Sequence, residues 1–311
     1  MILGNTPSVA PHPRDYLRGI RKRLTIGSDI VFGNLEGVLT DRSGPHKCSS
    51  PRAKDCYTFR NPTTFATAFA DVGFTVLNSA NNHSADYYSA GAADTSAALH
   101  NAGIKQAGVR GSVARVRVHG LWIAFLGFAP YNYDPNLLDL QSAAKAIRQA
   151  ARSNDVVVVY MHAGAEGSGA THVTGHEEYA FGEDRGNPEA FAHMAVDNGA
   201  NLVLASGPHV LRGMEFYRGH LIAYSLGNSA NYHNFARSGD LAKSAILRVT
   251  LGAHGGFQSG QLISVRLVDP GRPVQGGDSV AFVRELGKED FGPAAARLSQ
   301  TGVIRAPARN S

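Results

Sequence analysis

Residues 155–164 read Asp155-Val156-Val157-Val158-Val159-Tyr160-Met161-His162-Ala163-Gly164, and this stretch indicates the fold class. Four consecutive valines favour extended backbone, because β-branched side chains pack well on a pleated sheet. A strand without polar alternation is covered on both faces, which is typical of parallel sheets in α/β proteins. The strand is predicted over 155–160, and a histidine follows it almost at once.

The same pattern recurs on both sides of this strand. Apolar β-branched runs alternate with alanine-rich helical stretches, which predicts a layered α/β domain. Further strands are predicted over 29–33, 74–77, 201–205, 214–217, 221–225, 245–251 and 262–269, with a hairpin over 116–128. Helices are predicted over 61–72, 91–101, 137–153, 188–198, 278–286 and 293–298. The later, strand-rich part predicts a second sheet that faces the first.

Length and composition limit the class of protein. The 311 residues are 43% hydrophobic and 18% charged, so the chain can bury a core and is not expected to be disordered. We predict a single domain over 1–299 and a frayed tail over 300–311. The net charge of +5 is not gathered in a Lys/Arg tract, which indicates at most a mild attraction to anionic polymers or phosphorylated substrates and no nucleic-acid partner.

The sequence also bears on compartment. No apolar run approaches the about 20 residues that span a bilayer, so no transmembrane segment is predicted and the chain is expected to be soluble as written. The two cysteines, Cys48 and Cys56, lie in one polar loop. Their spacing is compatible with a disulfide in an oxidising compartment and equally with two free thiols.

Four predicted strands lead into loops that carry metal-competent side chains. These side chains are Glu36, the pair Asn82-His83, His162 and His209. In a sheet whose strands share one direction, such loops gather at one edge. Imidazole, amide oxygen and carboxylate together suit divalent Mn, Fe or Zn. Taken singly, each residue has a simpler interpretation as a capping carboxylate, a turn asparagine or a loop histidine, so the joint placement carries the prediction.

Five short motifs then occur in a fixed order. They are Gly33-Asn34-Leu35-Glu36-Gly37, Asn81-Asn82-His83-Ser84-Ala85-Asp86, His162-Ala163-Gly164-Ala165-Glu166, Gly207-Pro208-His209-Val210 and Tyr224-Ser225-Leu226-Gly227-Asn228. Together, over roughly residues 1–230, they resemble the successive motifs of the CapA-type capsule-synthesis family, also called the poly-γ-glutamate capsule biosynthesis family. The resemblance implies membership of the calcineurin-like metallophosphatase superfamily, a four-layer α/β/β/α sandwich and a site for two divalent ions between the loops of its sheets.

The resemblance also implies roles for single residues. Glu36 matches a carboxylate that bridges the two metal ions, and Asn82 matches a metal-bound amide. His162 and His209 match metal-ligand histidines. His83 matches a catalytic histidine that contacts the transferring phosphoryl group.

Three further residues follow the ligand motifs. Glu166 matches a carboxylate that comes after the ligand histidine, and we assign it a catalytic role. Arg212 and Glu215 follow the last histidine motif and are predicted to bind substrate.

The chain departs from the pattern of the family in two places. Superfamily members open with a strand that ends in Gly-Asp, whose Asp holds the first metal. Here residues 1–7 resemble the stretch just after that Gly-Asp, which leads to the hypothesis that the first strand and its Asp are missing. The missing segment would also have been able to hold an export signal, so a full-length form is expected to be exported to the periplasm or cell surface. The last motif has Ser206 and Gly207 where a further histidine is common.

The implied function is a metal-dependent hydrolase, specifically a phosphoesterase, linked to capsule or poly-γ-glutamate polymer synthesis. Its expected partners are a phosphoester or anionic polymer substrate and a capsule-synthesis membrane complex. The alternative is a non-catalytic, metallophosphatase-like module of a capsule-polymer synthesis or export assembly. A third alternative is hydrolysis of the γ-glutamyl polymer itself.

Overall fold

The computed structural model describes residues 2–3, 10, 12–49, 56–233 and 238–306. Its helices are α1 Pro13–Tyr16, α2 Arg18–Thr25, α3 Phe65–Val72, α4 Tyr88–Asn101, α5 Leu140–Ser153, α6 Pro188–Asp197 and α7 Ser279–Phe291. The first strands are β1 Ile2–Leu3, β2 Phe32–Glu36, β3 Val38–Leu39, β4 Arg60–Asn61, β5 Val76–Asn78, β6 Lys105–Ala107, β7 Ala114–Val118, β8 Leu121–Phe128 and β9 Val156–His162. The remaining strands are β10 Tyr179–Ala180, β11 Glu183–Asp184, β12 Leu202–Ser206, β13 Met214–Tyr217, β14 His220–Ala223, β15 Lys243–Leu251, β16 Phe257–Val268, β17 Arg272–Gln275, β18 Arg297–Leu298 and β19 Val303–Arg305.

A six-stranded sheet forms the centre of the molecule, in the order β13-β14-β12-β9-β8-β7. The four inner strands are parallel, whereas β13 and β7 run antiparallel to their neighbours. The valine strand β9 lies between β8 and β12 and is buried at every position. The prediction of a fully buried strand is therefore confirmed, and so is the hairpin formed by β7 and β8.

Two other sheets complete the scaffold. A four-stranded parallel sheet has the order β1-β2-β5-β6. A five-stranded antiparallel sheet has the order β15-β16-β19-β18, with β17 paired to β16. The short pairs β3-β4 and β10-β11 stand outside these sheets.

The buried side chains divide into layers. On one face of β9, Val157 and Val159 pack with the residues of α5 and α6, among them Phe191. On the other face, Val156 and Val158 pack against residues of the four-stranded and five-stranded sheets. Helices α3 and α4 cover the outer face of the four-stranded sheet. The sequence of layers is helix, sheet, sheet, helix, as predicted.

An apolar cleft of about 840 Å³ lies between the sheets. Its walls include Phe32 and Gly33 of β2, Val249 and Leu251 of β15, and Val158 of the central sheet. Strand β1 pairs with only the last two residues of β2, and β15 is the outermost described strand of its sheet. The backbone edges of β2 and β15 therefore border the cleft. Residues 1 and 4–9 lie outside the described part of the chain, so the hypothesis of a missing first strand stays a prediction.

Two predicted elements, the first strand and the last helix, differ from the structure. The first strand begins at Phe32 rather than residue 29 and runs to Glu36, because pairing with β5 and β1 extends it through the predicted loop. The helix predicted over 293–298 is wrong. A short 3₁₀ turn, Gly292–Ala294, is followed by β18, since the Ala296 amide donates to the Met214 carbonyl and draws this segment onto β13.

The predicted frayed tail is also wrong for the described residues up to 306. Strand β19 pairs with β16, and its Ile304 is buried. Residues 307–311 lie outside the described residues, and the predicted domain extent stays a prediction. None of the described helices has both the length and the apolar character needed to cross a membrane.

Replacing Phe191 with Ala tests the packing of α6 on the central sheet. Phe191 is 1% exposed and its ring lies 5.3 Å from that of Phe128. We expect a loss of about 3–5 kcal/mol in the free energy of unfolding, because the substitution leaves a cavity. Urea denaturation followed by circular dichroism measures it. The matched control is Phe181→Ala, since Phe181 is 78% exposed and its loss should change stability by no more than about 0.5 kcal/mol. Equal midpoints for the two variants would contradict the assignment of this core.

Candidate metal centre

The predicted ligands lie at the ends of strands in two sheets. Glu36 is the last residue of β2 and His162 the last residue of β9, while His209 follows β12. Each of these three side chains is at most 2% exposed. The imidazole Nε2 of His209 lies 3.6 Å from Oε1 of Glu36 and 3.6 Å from Oε2 of Glu166. The fold thus brings a carboxylate of the four-stranded sheet beside a histidine of the six-stranded sheet.

Several donor atoms in this region are buried without hydrogen-bond partners among the described residues. They are both carboxylate oxygens of Glu36, Oδ1 of Asn82 and both ring nitrogens of His162. A buried polar atom left unpaired costs about 1–3 kcal/mol, so such atoms seldom cluster unless another group satisfies them. Carboxylate, amide and imidazole donors fit Mn, Fe or Zn. The residues present therefore fit the divalent ions that the resemblance implies.

The positions of the side chains do not by themselves define coordination. Within the described ranges, no group of three or more His, Cys, Asp and Glu side chains is arranged to hold an ion. One of the four predicted ligands, Asn82, is an amide and falls outside those residue types. The ligand set consequently stays a prediction, supported by the unpaired buried donors.

Burial controls the ionisation of these groups. It raises the pKa of Glu36 well above the ordinary range, and the nearby Glu166 carboxylate raises that pKa further. Burial lowers the pKa of His162 strongly, and the positive charge of Arg185 adds to the effect. The pKa of His209 is also lowered by burial, against the opposing influence of Glu166. Both imidazoles are therefore neutral near pH 7, which is the form that binds metal ions.

The loop that carries His209 has an unusual backbone. His209 has a φ of 61°, in the left-handed region that costs a non-glycine residue roughly 1 kcal/mol or more. Its Nδ1 is 3.0 Å from Oδ1 of Asn228, which fixes the ring orientation and leaves Nε2 toward Glu36. Gly207 has a φ of 133°, and a Cβ there would lie 2.7 Å from the carbonyl oxygen of Ala163. Glycine is needed at 207 because the loop lies directly against the end of β9.

His83 is held by three side chains. Its ring stacks on Phe59 with 3.9 Å between centroids, and its Nδ1 lies 2.8 Å from Oδ2 of Asp86. The ammonium of Lys47 is 2.6 Å from the other oxygen of Asp86 and 3.2 Å from the same Nδ1. The shorter contact assigns the Nδ1 proton to the bond with Asp86, which leaves Nε2 available. Burial lowers the pKa of His83, and the charge of Asp86 opposes that shift.

Cys48 and Cys56 form a disulfide, with 5.6 Å between their Cα atoms. Of the two alternatives open from the sequence, the structure shows the disulfide. Lys47 immediately precedes one cysteine, and Phe59 follows the other by three residues. The bond therefore joins the two segments that contact the His83 ring.

Asp134 holds the loop that contains Asn82 and His83. Its carboxylate accepts hydrogen bonds from the Asn81 amide at 3.1 Å and from the Ser84 hydroxyl at 3.0 Å. These two donors lie on either side of the Asn82-His83 pair. Burial raises the pKa of Asp134 to about 8.

Glu166 lies next to the centre and pairs with a buried arginine. Nη1 of Arg185 is 2.6 Å from Oε1 of Glu166, and the arginine is only 1% exposed. The second oxygen of Glu166 faces His209. Arg185 neutralises part of the negative charge that Glu36 and Glu166 would otherwise concentrate.

Arg212 and Glu215 have internal partners instead. The guanidinium of Arg212 binds both oxygens of Glu178, at 3.0 and 2.6 Å. Oε1 of Glu215 is contacted by His193 at 2.7 Å and by Tyr224 at 2.6 Å. These contacts do not support the predicted substrate-binding roles, which remain untested predictions.

Sequence reasoning missed four residues that shape the site: Lys47, Asp86, Asp134 and Arg185. Asp86 stands three residues after His83 inside a motif already recognised, so its position was a usable signal. The other three reach the site from loops 19 to 53 residues away from their partners in sequence, and no motif marks them.

The family model described as "Bacterial capsule synthesis protein PGA_cap" matches residues 1–233, which is most of the chain. The chain belongs to this capsule synthesis family. The predicted resemblance to the CapA-type family is therefore confirmed.

Two curated relatives share the family name. The PGA biosynthesis protein CapA of Bacillus subtilis (strain 168) is 29% identical over 232 residues, which cover 69% of this chain and 56% of the relative. The capsule biosynthesis protein CapA of Bacillus anthracis is 30% identical over 262 residues, covering 76% of this chain and 57% of the relative. The chain thus spans rather more than half the length of these capsule synthesis proteins.

Solved structures give weaker similarity. A putative 5'-nucleotidase from Staphylococcus aureus in complex with alpha-ketoglutarate has a TM-score of 0.41 at 10% identity, covering 71% of this chain and 43% of that chain. A 5'-nucleotidase precursor from Thermus thermophilus has a TM-score of 0.37 at 14% identity, covering 68% of this chain and 40% of that chain. At these scores the similarity carries no argument about activity.

Substituting Asp134 with Asn tests the clamp on the His83 loop. The pKa of Asp134 is raised to about 8 from 3.8, so between those values the folded state holds a proton that the unfolded state has lost. Wild-type stability should therefore fall as pH rises through this window, by at most about 1.4 kcal/mol per pH unit from this one group. Asp134→Asn should flatten that fall in urea denaturation at pH 5, 6, 7 and 8.

The matched control is Asp139→Asn. A hydrogen bond from Ser142 lowers the pKa of Asp139, so its contribution to stability is present at neutral pH and disappears on acidification. This control should leave the slope between pH 5 and 8 unchanged, because Asp139 is ionised in both the folded and the unfolded state over that range. An unchanged slope for Asp134→Asn would show that the buried carboxyl does not titrate as described.

Proposed function

We propose that this capsule synthesis protein is a metal-dependent phosphoesterase acting in capsule or poly-γ-glutamate polymer synthesis. One observation carries the proposal. Buried, unpaired donor atoms of Glu36, Asn82 and His162 belong to the same sheet edges as His209, with the His83–Asp86 pair adjoining Asn82 in the same loop. An unpaired donor set next to an oriented histidine fits metal-assisted hydrolysis better than a structural role.

Glu36, Asn82, His162 and His209 would hold the ions. Glu36 has two free oxygens, so it can serve two ions at once, and the neutral histidines need lose no proton. When bound, two divalent ions supply positive charge that polarises phosphoryl oxygens. Their charge would also favour the ionised form of Glu36, whose pKa is otherwise raised by burial.

His83 supplies the proton chemistry. Hydrolysis joins a water oxygen to phosphorus, breaks the bond from phosphorus to the alcohol oxygen and requires a proton on that leaving oxygen. With the Nδ1 proton donated to Asp86, Nε2 of the neutral His83 is free to accept the proton that the water loses and would then give it to the leaving oxygen. Asp86 would stabilise the imidazolium between these two transfers, and His83 ends in its neutral starting form.

Two cations change the electrostatic environment of the reacting group. The Lys47 ammonium, 3.2 Å from Nδ1 of His83, brings positive charge close to where a phosphoryl group would contact the histidine. Arg185 pairs with Glu166 and thereby reduces the electrostatic repulsion between that carboxylate and an anionic substrate. Neither residue needs to touch the substrate to have these effects.

The alternative is a non-catalytic module of a capsule-polymer assembly. It is favoured by Ser206, which occupies a position where a further histidine is common and whose hydroxyl is hydrogen-bonded to Tyr160. A serine committed to a tyrosine in this way is not a ligand equivalent to an imidazole. Metal content separates the two functions, since two tightly bound ions per chain would argue against a purely structural module.

Manganese binding can be measured without activity. We expect Mn²⁺ to raise the melting temperature of the wild-type chain, because a ligand at 100 times its dissociation constant stabilises the folded state by about 2.7 kcal/mol. His162→Ala should remove most of that shift. The control His119→Ala changes a histidine that is 79% exposed on the β7–β8 turn and should keep it. No shift in the wild-type protein at millimolar Mn²⁺ would rule out the metal site.

Catalysis is tested by p-nitrophenol release from p-nitrophenyl phosphate and bis(p-nitrophenyl) phosphate with Mn²⁺ present. We expect His83→Asn to lower kcat by about 10²–10⁴-fold, the usual contribution of a positioned acid or base. The Mn²⁺-induced melting shift should survive in this variant, since His83 is not among the proposed ligands. A fully metal-loaded wild-type protein that turns over neither phosphoester would contradict the phosphoesterase proposal.

A further inference from the structure

A pair of stacked tyrosines lies in the loop after β8. This loop, residues 129–136, leaves the central sheet at the same edge as His162 and Ser206, because β8, β9 and β12 are parallel. The rings of Tyr131 and Tyr133 are nearly parallel, at 5° and 5.2 Å between centroids. We call this pair the tyrosine platform.

Charged side chains hold Tyr131 of the platform in place. The guanidinium carbon of Arg185 lies 5.8 Å from the ring centre of Tyr131, over its face. The Tyr131 hydroxyl donates to Glu183 at 2.7 Å, and the same carboxylate pairs with Arg185 at 3.1 Å. Tyr131 is thus held by a cation–π contact, a hydrogen bond and the stack, so its orientation is set before any ligand arrives.

Direct contacts connect the platform to the candidate metal centre on two sides. On one side, Arg185 binds Glu166, whose other oxygen faces His209. On the other side, Tyr133 precedes Asp134, which holds the loop of Asn82 and His83. The platform is therefore linked to the candidate metal centre through Arg185 and Glu166 and, along the chain, through Asp134.

The outer ring of the platform faces solvent. Tyr133 is 48% exposed, although it is stacked and its neighbour Asp134 is only 5% exposed. A ring held rigidly in this way loses little conformational entropy when a ligand packs on it.

The polar groups around the platform define the kind of ligand. The Glu183 side chain is 51% exposed, and its carboxylate only accepts hydrogen bonds. Asn132, between the two tyrosines in the chain, is also exposed, and its Oδ1 accepts a hydrogen bond from Asn136 at 3.1 Å. A matching ligand has a flat apolar face for the tyrosine ring and hydroxyl donors around its rim. A pyranose sugar has this combination.

We propose that Tyr131 and Tyr133 form a sugar subsite, so that the phosphoester taken by the adjoining centre carries a pyranose ring. The inference rests on the proposed phosphoesterase function for the reaction, but the sugar-binding surface itself does not. Tyr133 contacts the ring, and Tyr131 positions Tyr133.

The test compares hydrolysis of α-D-glucose 1-phosphate with that of glycerol 2-phosphate, which has no ring, in the full chain with Mn²⁺. We expect Tyr133→Ala to lower the ratio of kcat/KM for the sugar substrate over the ring-less substrate about five- to tenfold, mainly through KM. Tyr133→Phe should keep the ratio, since it keeps the ring face. The control Trp122→Ala removes a 42% exposed aromatic at the opposite end of β8 and should also keep it. An unchanged ratio in Tyr133→Ala, or a wild-type preference for adenosine 5'-monophosphate over the sugar phosphate, would overturn the proposal.

Direct binding separates this inference from the proposed function. Saturation-transfer NMR with methyl α-D-glucopyranoside needs no turnover. Signal in the wild-type chain that is lost in Tyr133→Ala supports the subsite even if no phosphoester is cleaved. Absence of signal in the wild-type chain, together with cleavage of both phosphoesters at equal kcat/KM, refutes the subsite while leaving the phosphoesterase function intact.

Discussion

The fully buried carboxylate of Glu36 is the constraint on which the rest of the site depends. A charge enclosed between two sheets is costly unless positive charge lies beside it. Among the described residues, Arg185 brings positive charge near Glu36, and it is already engaged with Glu166. Glu36 must therefore either keep its proton or share its oxygens with a cation from outside the chain. Its raised pKa and its unpaired oxygens are two expressions of this one condition.

The side chains around Glu36 are each held in one orientation by contacts with their own neighbours. Asn228 fixes the ring of His209, and Asp86 with Phe59 fixes the ring of His83. Asp134 holds the backbone of the loop that carries Asn82 and His83. These contacts come from loops at the carboxyl ends of parallel strands, where the scaffold is rigid and the loops are free to vary. The orientations of the site side chains are thus set by contacts at a buried sheet edge and do not depend on any single ligand.

The sequence predicted the parts of the structure that depend on local patterns. The valines of β9 can only be a buried strand, and the hairpin at His119-Gly120 has a turn that tolerates positive φ, which the structure shows at both residues. It also placed Glu36, His162 and His209 at the ends of strands. Residues 297–305 were misjudged because their pairing with β16 is a long-range contact, which overrides a weak local preference. Arg185 and Lys47 were missed for a related reason: they reach the site through the tertiary fold, and nothing in the residues next to them signals that.

The cleft between β2 and β15 has a consequence for the behaviour of the protein in concentrated solution. Within the described residues, these two neighbouring strand edges offer backbone groups with which an extended segment of another copy can pair. Such pairing depends on concentration, whereas the net charge of +5 opposes it only through long-range repulsion. Added salt screens that repulsion within about 10 Å at 0.1 M and leaves backbone pairing untouched. The solubility of this chain should therefore depend on how these edges are covered, and should decline as ionic strength rises.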